Sequence, residues 1–401
     1  MGFSRLRRRR TFRTAAVLGT LAASAVALTA CSSYSDKVHA SGEFADMIRP
    51  AISVTDQGGA PLAKDAVGVQ PGKKVVVKAT EGALSDVTIT SSSGTRVKGA
   101  LSEDGGTWTS AEDFGYDKKY TVKAAAVGVG GKTSTSQTFT TQAPDKLTQA
   151  YISPNEKTVG VATTIGVRFD ESIPDRKAAQ DAIKITTDPQ VQGAFYWISD
   201  TEVRWRPEHF WKPGTKVKVE VNTYGINLGD GMFGQENVSQ SFTIGRAMEL
   251  YADDHTKEVV VKKNGQVIRT MPTSMGKDST PTDNGIYIIG DRLDSIIMDS
   301  STYGVPSNSP EGYRTPVDFA TQMSYSGIYL HSAPWSVWAQ GNTNTSHGCL
   351  NLSPADAQWV VQNTLRGDPV TVKNTVGDTL PGTDGLGDWN IPWSTWSKGN
   401  A

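Results

Sequence analysis

Ser346-His347-Gly348-Cys349-Leu350-Asn351-Leu352-Ser353-Pro354-Ala355-Asp356 carries three local instructions in one short run. Its first part is polar, and Gly348 lets the backbone turn sharply. Its last part is a helix start, with Ser353 to cap, Pro354 at the first position and Asp356 facing the amide dipoles. Residues Ala357 to Leu365 extend that helix and Gly367 is placed to close it. Between loop and cap sits Cys349, with His347 beside it. A sharp turn here aims successive N–H groups at one spot, as stabilising a developing oxyanion requires when a thiolate attacks a carbonyl.

Upstream, Gly327-Ile328-Tyr329-Leu330 reads as a strand that delivers His331 at its end. A thiol is mostly protonated near neutral pH, and a nearby imidazole can take its proton to form a thiolate–imidazolium pair. The same imidazolium can then protonate a departing amine. A buried structural thiol is the plain alternative for Cys349, and the polarity of the loop argues against it. A zinc site of His331, His347 and Cys349 lacks a second cysteine or paired spacing, so no metal and no cofactor is assigned. Asp253, Asp254, Asp291, Asp294 and Asp299 lack calcium-loop spacing. His39, His209 and His255 have no catalytic neighbours and read as surface or packing residues.

Around this centre the chain is mainly β. Val259 to Arg269 is a hairpin with an Asn264-Gly265 turn, and Gly285–Gly290 and Ser295–Asp299 continue the strands. The Gly-, Pro-, Ser- and Asn-rich stretch from Ser300 to Pro316 reads as a mobile lid. Before Met248, β-branched runs bounded by Gly, Ser and Asp fall into two sets of about 100 residues, the spacing of two immunoglobulin-like sandwiches. The domains expected are 46–144 and 145–246 for the sandwiches, 247–373 for the catalytic unit and 374–401 for a C-terminal extension that packs on the rest. In that extension Trp389, Trp393 and Trp396 read as pins onto a neighbouring domain.

The N-terminal residues read as an export signal. Six arginines between Arg5 and Arg13 precede the apolar run Ala15 to Ala27, too short to span a bilayer comfortably. Leu28-Thr29-Ala30-Cys31 then matches the pattern cut before a lipid-carrying cysteine, so 1–30 is assigned as signal peptide and 31–45 as a tether. Arg9-Arg10-Thr11-Phe12 hints weakly at twin-arginine export. The expected location is the extracytoplasmic face of the cell membrane, held by lipid on Cys31, which leaves Cys349 without an intramolecular disulfide partner. The chain has 40 basic and 41 acidic side chains, and loss of the six arginines leaves an acidic excess that argues against nucleic acid as a partner.

His331 followed by Ser346-His347-Gly348-Cys349-Leu350-Asn351, with Tyr313-Arg314-Thr315-Pro316-Val317-Asp318 and the Gly385–Trp393 tail, resembles the bacterial L,D-transpeptidases of the mycobacterial and actinobacterial branch. The resemblance implies two Ig-like domains followed by a β-rich catalytic domain with a few short helices. It implies Cys349 as nucleophile, His331 as general base and acid, and the backbone carbonyl of Ser332 as orienter of the imidazole. The backbone N–H groups of His347, Gly348 and Cys349 would serve the oxyanion. Tyr313, Met298, Trp335, Ser346 and Asn351 would border the substrate crevice. The implied partners are peptidoglycan peptide stems, joined through 3→3 links between diaminopimelate residues with release of D-alanine, and carbapenem β-lactams as covalent inhibitors. Two alternatives remain open: a carboxypeptidase or endopeptidase on the same stems, and a non-catalytic wall-binding lipoprotein.

Overall fold

The computed structural model describes Gly42 and residues 46–401; the expected signal, Cys31 and most of the tether lie outside the described residues. Its first sandwich pairs a sheet of Ala51–Asp56, Val75–Thr80, Thr107–Ser110 and Gly99–Leu101, in that spatial order, with a sheet of Ala66–Val69, Gly131–Thr141, Lys119–Gly128 and Ala83–Ser91. The second pairs Ala150–Ser153, Ile165–Phe169, Glu202–Pro207 and Gly193–Trp197 with Thr158–Val159, Val238–Ile244, Lys216–Val221 and Ile183–Asp188. Strand for strand the order is the same, and in both sandwiches the second sheet has a parallel pair at its edge.

The correspondence reaches side chains. A Cβ on Gly99 would lie 2.0 Å from the Trp108 ring, and one on Gly193 would lie 2.2 Å from the Trp205 ring. In each sandwich an indole therefore covers a bare backbone on the neighbouring strand. The two units are copies of one topology.

They are not joined by a slack linker. Gln142 N–H donates to the Val69 carbonyl at 3.0 Å and Asp145 N–H to Gly231 at 3.0 Å. Across the joint, Tyr116 donates to the Gly234 carbonyl at 2.7 Å and accepts from Gly225 N–H at 2.6 Å.

The catalytic unit has two sheets. One runs Gln266–Pro272, Glu258–Lys263, Met248–Asp253, Pro369–Lys373, Gly285–Ile288; the other runs Arg292–Asp299, Arg314–Gln322, Tyr329–Ser332, Leu350–Leu352. The hairpin turn has positive φ at both Asn264 and Gly265, as a tight two-residue connection requires. The helix Pro354–Asn363 begins as expected, with Ser353 Oγ accepting from Asp356 N–H at 3.2 Å. It ends earlier than expected. Thr364 turns extended and its hydroxyl caps the Val360 carbonyl at 2.7 Å. Gly367, at φ +89°, instead forms the contact with the second sandwich, where a Cβ would meet Thr163 Oγ1 at 1.8 Å. The segment expected as a lid is also shorter, because Arg314–Gln322 is a strand that includes Pro316. Proline is tolerated there since the next strand, Tyr329–Ser332, pairs only with Thr321 and Gln322. No helix among the described residues is long and apolar enough to cross a membrane.

The C-terminal residues run back over the second sandwich. Arg206 is buried with its guanidinium 4.5, 5.4 and 4.4 Å from the ring centroids of Trp389, Trp393 and Trp396. Trp396 stacks on Tyr196 and donates to the Ala194 carbonyl at 2.8 Å, and Trp389 donates to Ala162 at 2.7 Å. Truncating a fully buried indole removes packing and leaves a cavity. Trp396→Ala is expected to destabilise the sandwich–tail unit by about 3–5 kcal/mol, seen as a lower denaturant midpoint. A denaturation curve that overlays the wild type would refute this role for the tail.

Candidate active site

The strand Tyr329–Ser332 has two faces with different duties. It pairs in parallel with Leu350–Leu352, placing Leu330 beside Leu350 and His331 beside Asn351. Side chains alternate along a strand. Leu330, Leu350 and Leu352 therefore enter the hydrophobic core, while Tyr329, His331 and Asn351 take the other face with Cys349. On that face Cys349 packs with Met298, Val317, Ala320 and Tyr329. The strands Arg292–Asp299 and Arg314–Gln322 add the far wall, with Met298 opposite Thr315 and Ile296 opposite Val317.

These walls enclose a cavity of about 350 Å³ lined by Met298, Tyr313, Thr315, Val317, His331, Trp335, Thr345, Ser346, His347, Cys349 and Asn351. Every side chain expected from the sequence to border a crevice is in this lining, with nucleophile and base candidates among them. Thr315, Val317 and Thr345 were not expected. The first two could have been read from the alternation 313, 315, 317 along the strand and its approach.

His331 is 4% exposed, and its Nδ1 lies 2.9 Å from the Ser332 carbonyl oxygen. A carbonyl only accepts, so Nδ1 carries the proton and Nε2 keeps a free lone pair for a substrate or thiol proton. Burial pushes the His331 pKa down, and the bond to Ser332 partly offsets this. Cys349 is 7% exposed, and its thiol lies 3.6 Å from the Gly327 carbonyl. Burial pushes its pKa up to about 11, against a smaller lowering by a backbone hydrogen bond at Tyr329. Both shifts oppose charge. Burial therefore favours a neutral thiol and a neutral imidazole over a preformed ion pair.

The loop before Cys349 is braced by Ser346. Its Oγ donates to the Cys349 carbonyl at 2.6 Å and accepts from Gly348 N–H at 3.1 Å. Thr282 Oγ1 donates to the Gly348 carbonyl at 2.7 Å, and Gly348 itself has φ +122°. The Gly348 amide expected for an oxyanion is thus already engaged by a side chain, and Ser346 works as a brace of the turn. Asn351 is likewise structural in part, its Nδ2 donating to Ser336 Oγ at 3.0 Å.

His347 has a partner that sequence spacing did not suggest. Its Nε2 lies 3.0 Å from Glu311 Oε2, and Lys277 Nζ reaches the same oxygen at 2.8 Å. Lys277 hydrogen bonding, then its charge, holds the Glu311 carboxyl below its ordinary range. Glu311 belongs to the loop between Asp299 and Arg314, whose neck is closed by Ser300 N–H to the Tyr313 carbonyl at 3.0 Å. The Tyr313 ring sits 5.3 Å from the His347 ring, so the loop meets the catalytic turn at two points. Among the described residues no cluster of three His, Cys, Asp or Glu side chains could hold a metal ion.

Two family models match the chain: a bacterial Ig domain over residues 66–227, and an L,D-transpeptidase catalytic domain over residues 249–372. The chain is 58% identical over 361 residues to L,D-transpeptidase 2 of Mycobacterium tuberculosis strain CDC 1551 / Oshkosh, covering 89% of this chain and 86% of that one. It is 40% identical over 227 residues to L,D-transpeptidase 1 of M. tuberculosis strain H37Rv, covering 56% of this chain and 84% of that one. A solved LD transpeptidase in complex with imipenem is 38% identical, covers 56% of this chain and 98% of that one, and superposes with a TM-score of 0.49.

Because the site is buried and neutral, the Cys349 thiol is expected to ionise near pH 11 in the resting protein, followed by ultraviolet thiolate absorbance against Cys349→Ala. A midpoint below neutral pH would show a preformed ion pair and overturn this electrostatic reading.

Proposed function

Because the chain belongs to the L,D-transpeptidase family, we propose that it joins peptidoglycan stems through a thioester on Cys349. The observation that supports this reading is one cavity shared by Cys349, His331, His347 and Tyr313. The donor is a tetrapeptide stem, and the bond attacked is the amide between the L-centre of diaminopimelate and the terminal D-alanine. His331 Nε2 takes the thiol proton as Sγ bonds to the carbonyl carbon, so charge appears only as the bond forms. The amides of His347 and Cys349 face the developing oxyanion, with the Gly348 amide joining them if Ser346 Oγ releases it. Collapse breaks the C–N bond, and His331 returns the proton to the departing D-alanine amine. The side-chain amine of diaminopimelate on a second stem then attacks the thioester. His331 accepts that proton, the thiol is regenerated, and a 3→3 cross-link remains.

The same electrophile is presented by a carbapenem, whose strained cyclic amide would acylate Cys349. With tetrapeptide-stem muropeptides, wild-type protein is expected to release D-alanine and yield 3→3 dimers detectable by mass spectrometry. Cys349→Ala should yield neither, and it should gain no carbapenem mass. His331→Asn should lower kcat by about 10²–10⁴-fold. D-alanine release without dimers would make the chain a hydrolase, and silence in both reactions would leave a wall-binding lipoprotein.

We place the protein on the extracytoplasmic face of the membrane, anchored by acyl chains on Cys31, from the arginine-rich start, apolar run and Leu28-Thr29-Ala30-Cys31. Full-length wild type should partition into the detergent phase and Cys31→Ala into the aqueous phase. Equal partitioning of the two would remove the lipid from the account.

A further inference from the structure

We propose that Trp335 and Trp338 form a platform for the sugar chain that carries the donor stem, an inference that rests on the reading above. From Ala333 to Gln340 the chain is a succession of tight turns: Ser336 N–H donates to Ala333, Ala339 N–H to Ser336 and Gln340 N–H to Val337, at 3.2, 2.9 and 3.3 Å. Bonds of this i→i+3 kind give three residues per turn, so side chains three apart stand above one another. Burial follows that period. Ala333, Ser336 and Ala339 are buried, whereas Trp335 is 53% and Trp338 71% exposed. The two indoles therefore share one outward face.

This face is rigid and continuous with the site. Its inner side is held by Asn351 Nδ2 on Ser336 Oγ at 3.0 Å and by Gln340 Nε2 on the Ala333 carbonyl at 3.3 Å. Its first indole lines the catalytic cavity, with its ring 6.1 Å from that of His331. Trp338 extends the same apolar surface away from the reacting carbonyl. Contiguous exposed apolar surface beside a polar crevice marks a contact site, and the donor stem itself dictates what arrives there. A stem held at Cys349 brings its own glycan, a chain of N-acetylated pyranoses. Each pyranose has one face of C–H groups that can lie on an indole, while its hydroxyl and acetamido groups stay in water. Trp338 is on this account a positioning residue, acting on the part of the substrate remote from the reacting bond.

The test compares two donors on full-length protein: a free tetrapeptide stem, and the same stem on its disaccharide. Trp338→Ala should lower kcat/KM for the disaccharide-linked donor by roughly two- to tenfold, mostly through KM, and by much less for the free stem. Trp338→Phe should recover most of the loss. Binding of the disaccharide-linked donor to Cys349→Ala, with and without Trp338→Ala, reads the platform without chemistry. Tighter binding with Trp338 present supports the platform even if the wild type forms no cross-link, a result that would sink only the transpeptidase reading. Equal losses on both donors, no loss on either, or a concentration-dependent dimer abolished by Trp338→Ala would each overturn the proposal, the last by making this face an interface between copies.

Discussion

The parallel register of Tyr329–Ser332 with Leu350–Leu352 is the constraint on which the site depends. It joins the residues before Ser332 to those after Gly348 at adjacent positions of one sheet. A one-residue slip of Tyr329–Ser332 would send Leu330 into the cavity and His331 into the core, away from Cys349. The core therefore enforces the catalytic geometry: burying Leu330, Leu350 and Leu352 fixes the face on which His331 and Asn351 emerge. Side-chain packing of the apolar face selects the register, and the register selects the chemistry.

The same burial sets the electrostatics. Even in water, moving a proton from a thiol to an imidazole is uphill by about two pKa units, and here both ions would also be desolvated. Burial raises the pKa of Cys349 and lowers that of His331, so it favours the neutral form of both groups. In the proposed reaction, proton transfer accompanies bond formation, when the sulfur no longer carries a full charge. The imidazolium that results is the charge the site must tolerate, and the Ser332 carbonyl against Nδ1 is oriented for it. A carboxylate in that place would stabilise a charged imidazole at rest. A carbonyl dipole favours the charged form less, consistent with a site that ionises only transiently.

What could be read from residues divides by distance along the chain. The Asn264-Gly265 turn and the Ser353-Pro354 cap are local, and the structure has both. The strand spacing is enough to propose two sandwiches, although Gly99–Leu101 and Gly193–Trp197 are not legible as strands. Their glycines and brevity weaken any period-two signal, and only pairing against neighbours makes them strands. The helix end misled because Gly367 looks like a cap, whereas its bare Cα is needed by Thr163 of another domain. The Lys277–Glu311–His347 contact draws on three separate segments, and no spacing rule reaches it. Tryptophans in the tail suggested pinning, but nothing local named Arg206 as the post.

The second sandwich and the catalytic unit meet through more than one kind of bond. Gly160 and Ala162 N–H groups donate to the carbonyls of Arg366 and Gly367 at 2.7 and 2.8 Å, extending backbone pairing across the boundary. Arg246 binds both oxygens of Asp368 at 2.9 and 2.8 Å. The tail closes the same boundary from the other side, with Asp388 fully buried against Thr164 and Arg204. A joint made of backbone pairing, a bidentate ion pair and a tryptophan-lined strap has little freedom to hinge. Chemistry that must reach a polymeric substrate from a fixed mount gains from such a joint, because the crevice keeps one orientation on its support. The Asp299–Arg314 loop, by contrast, is tied to the catalytic turn through exposed side chains such as Glu311, whose ion pairs salt weakens.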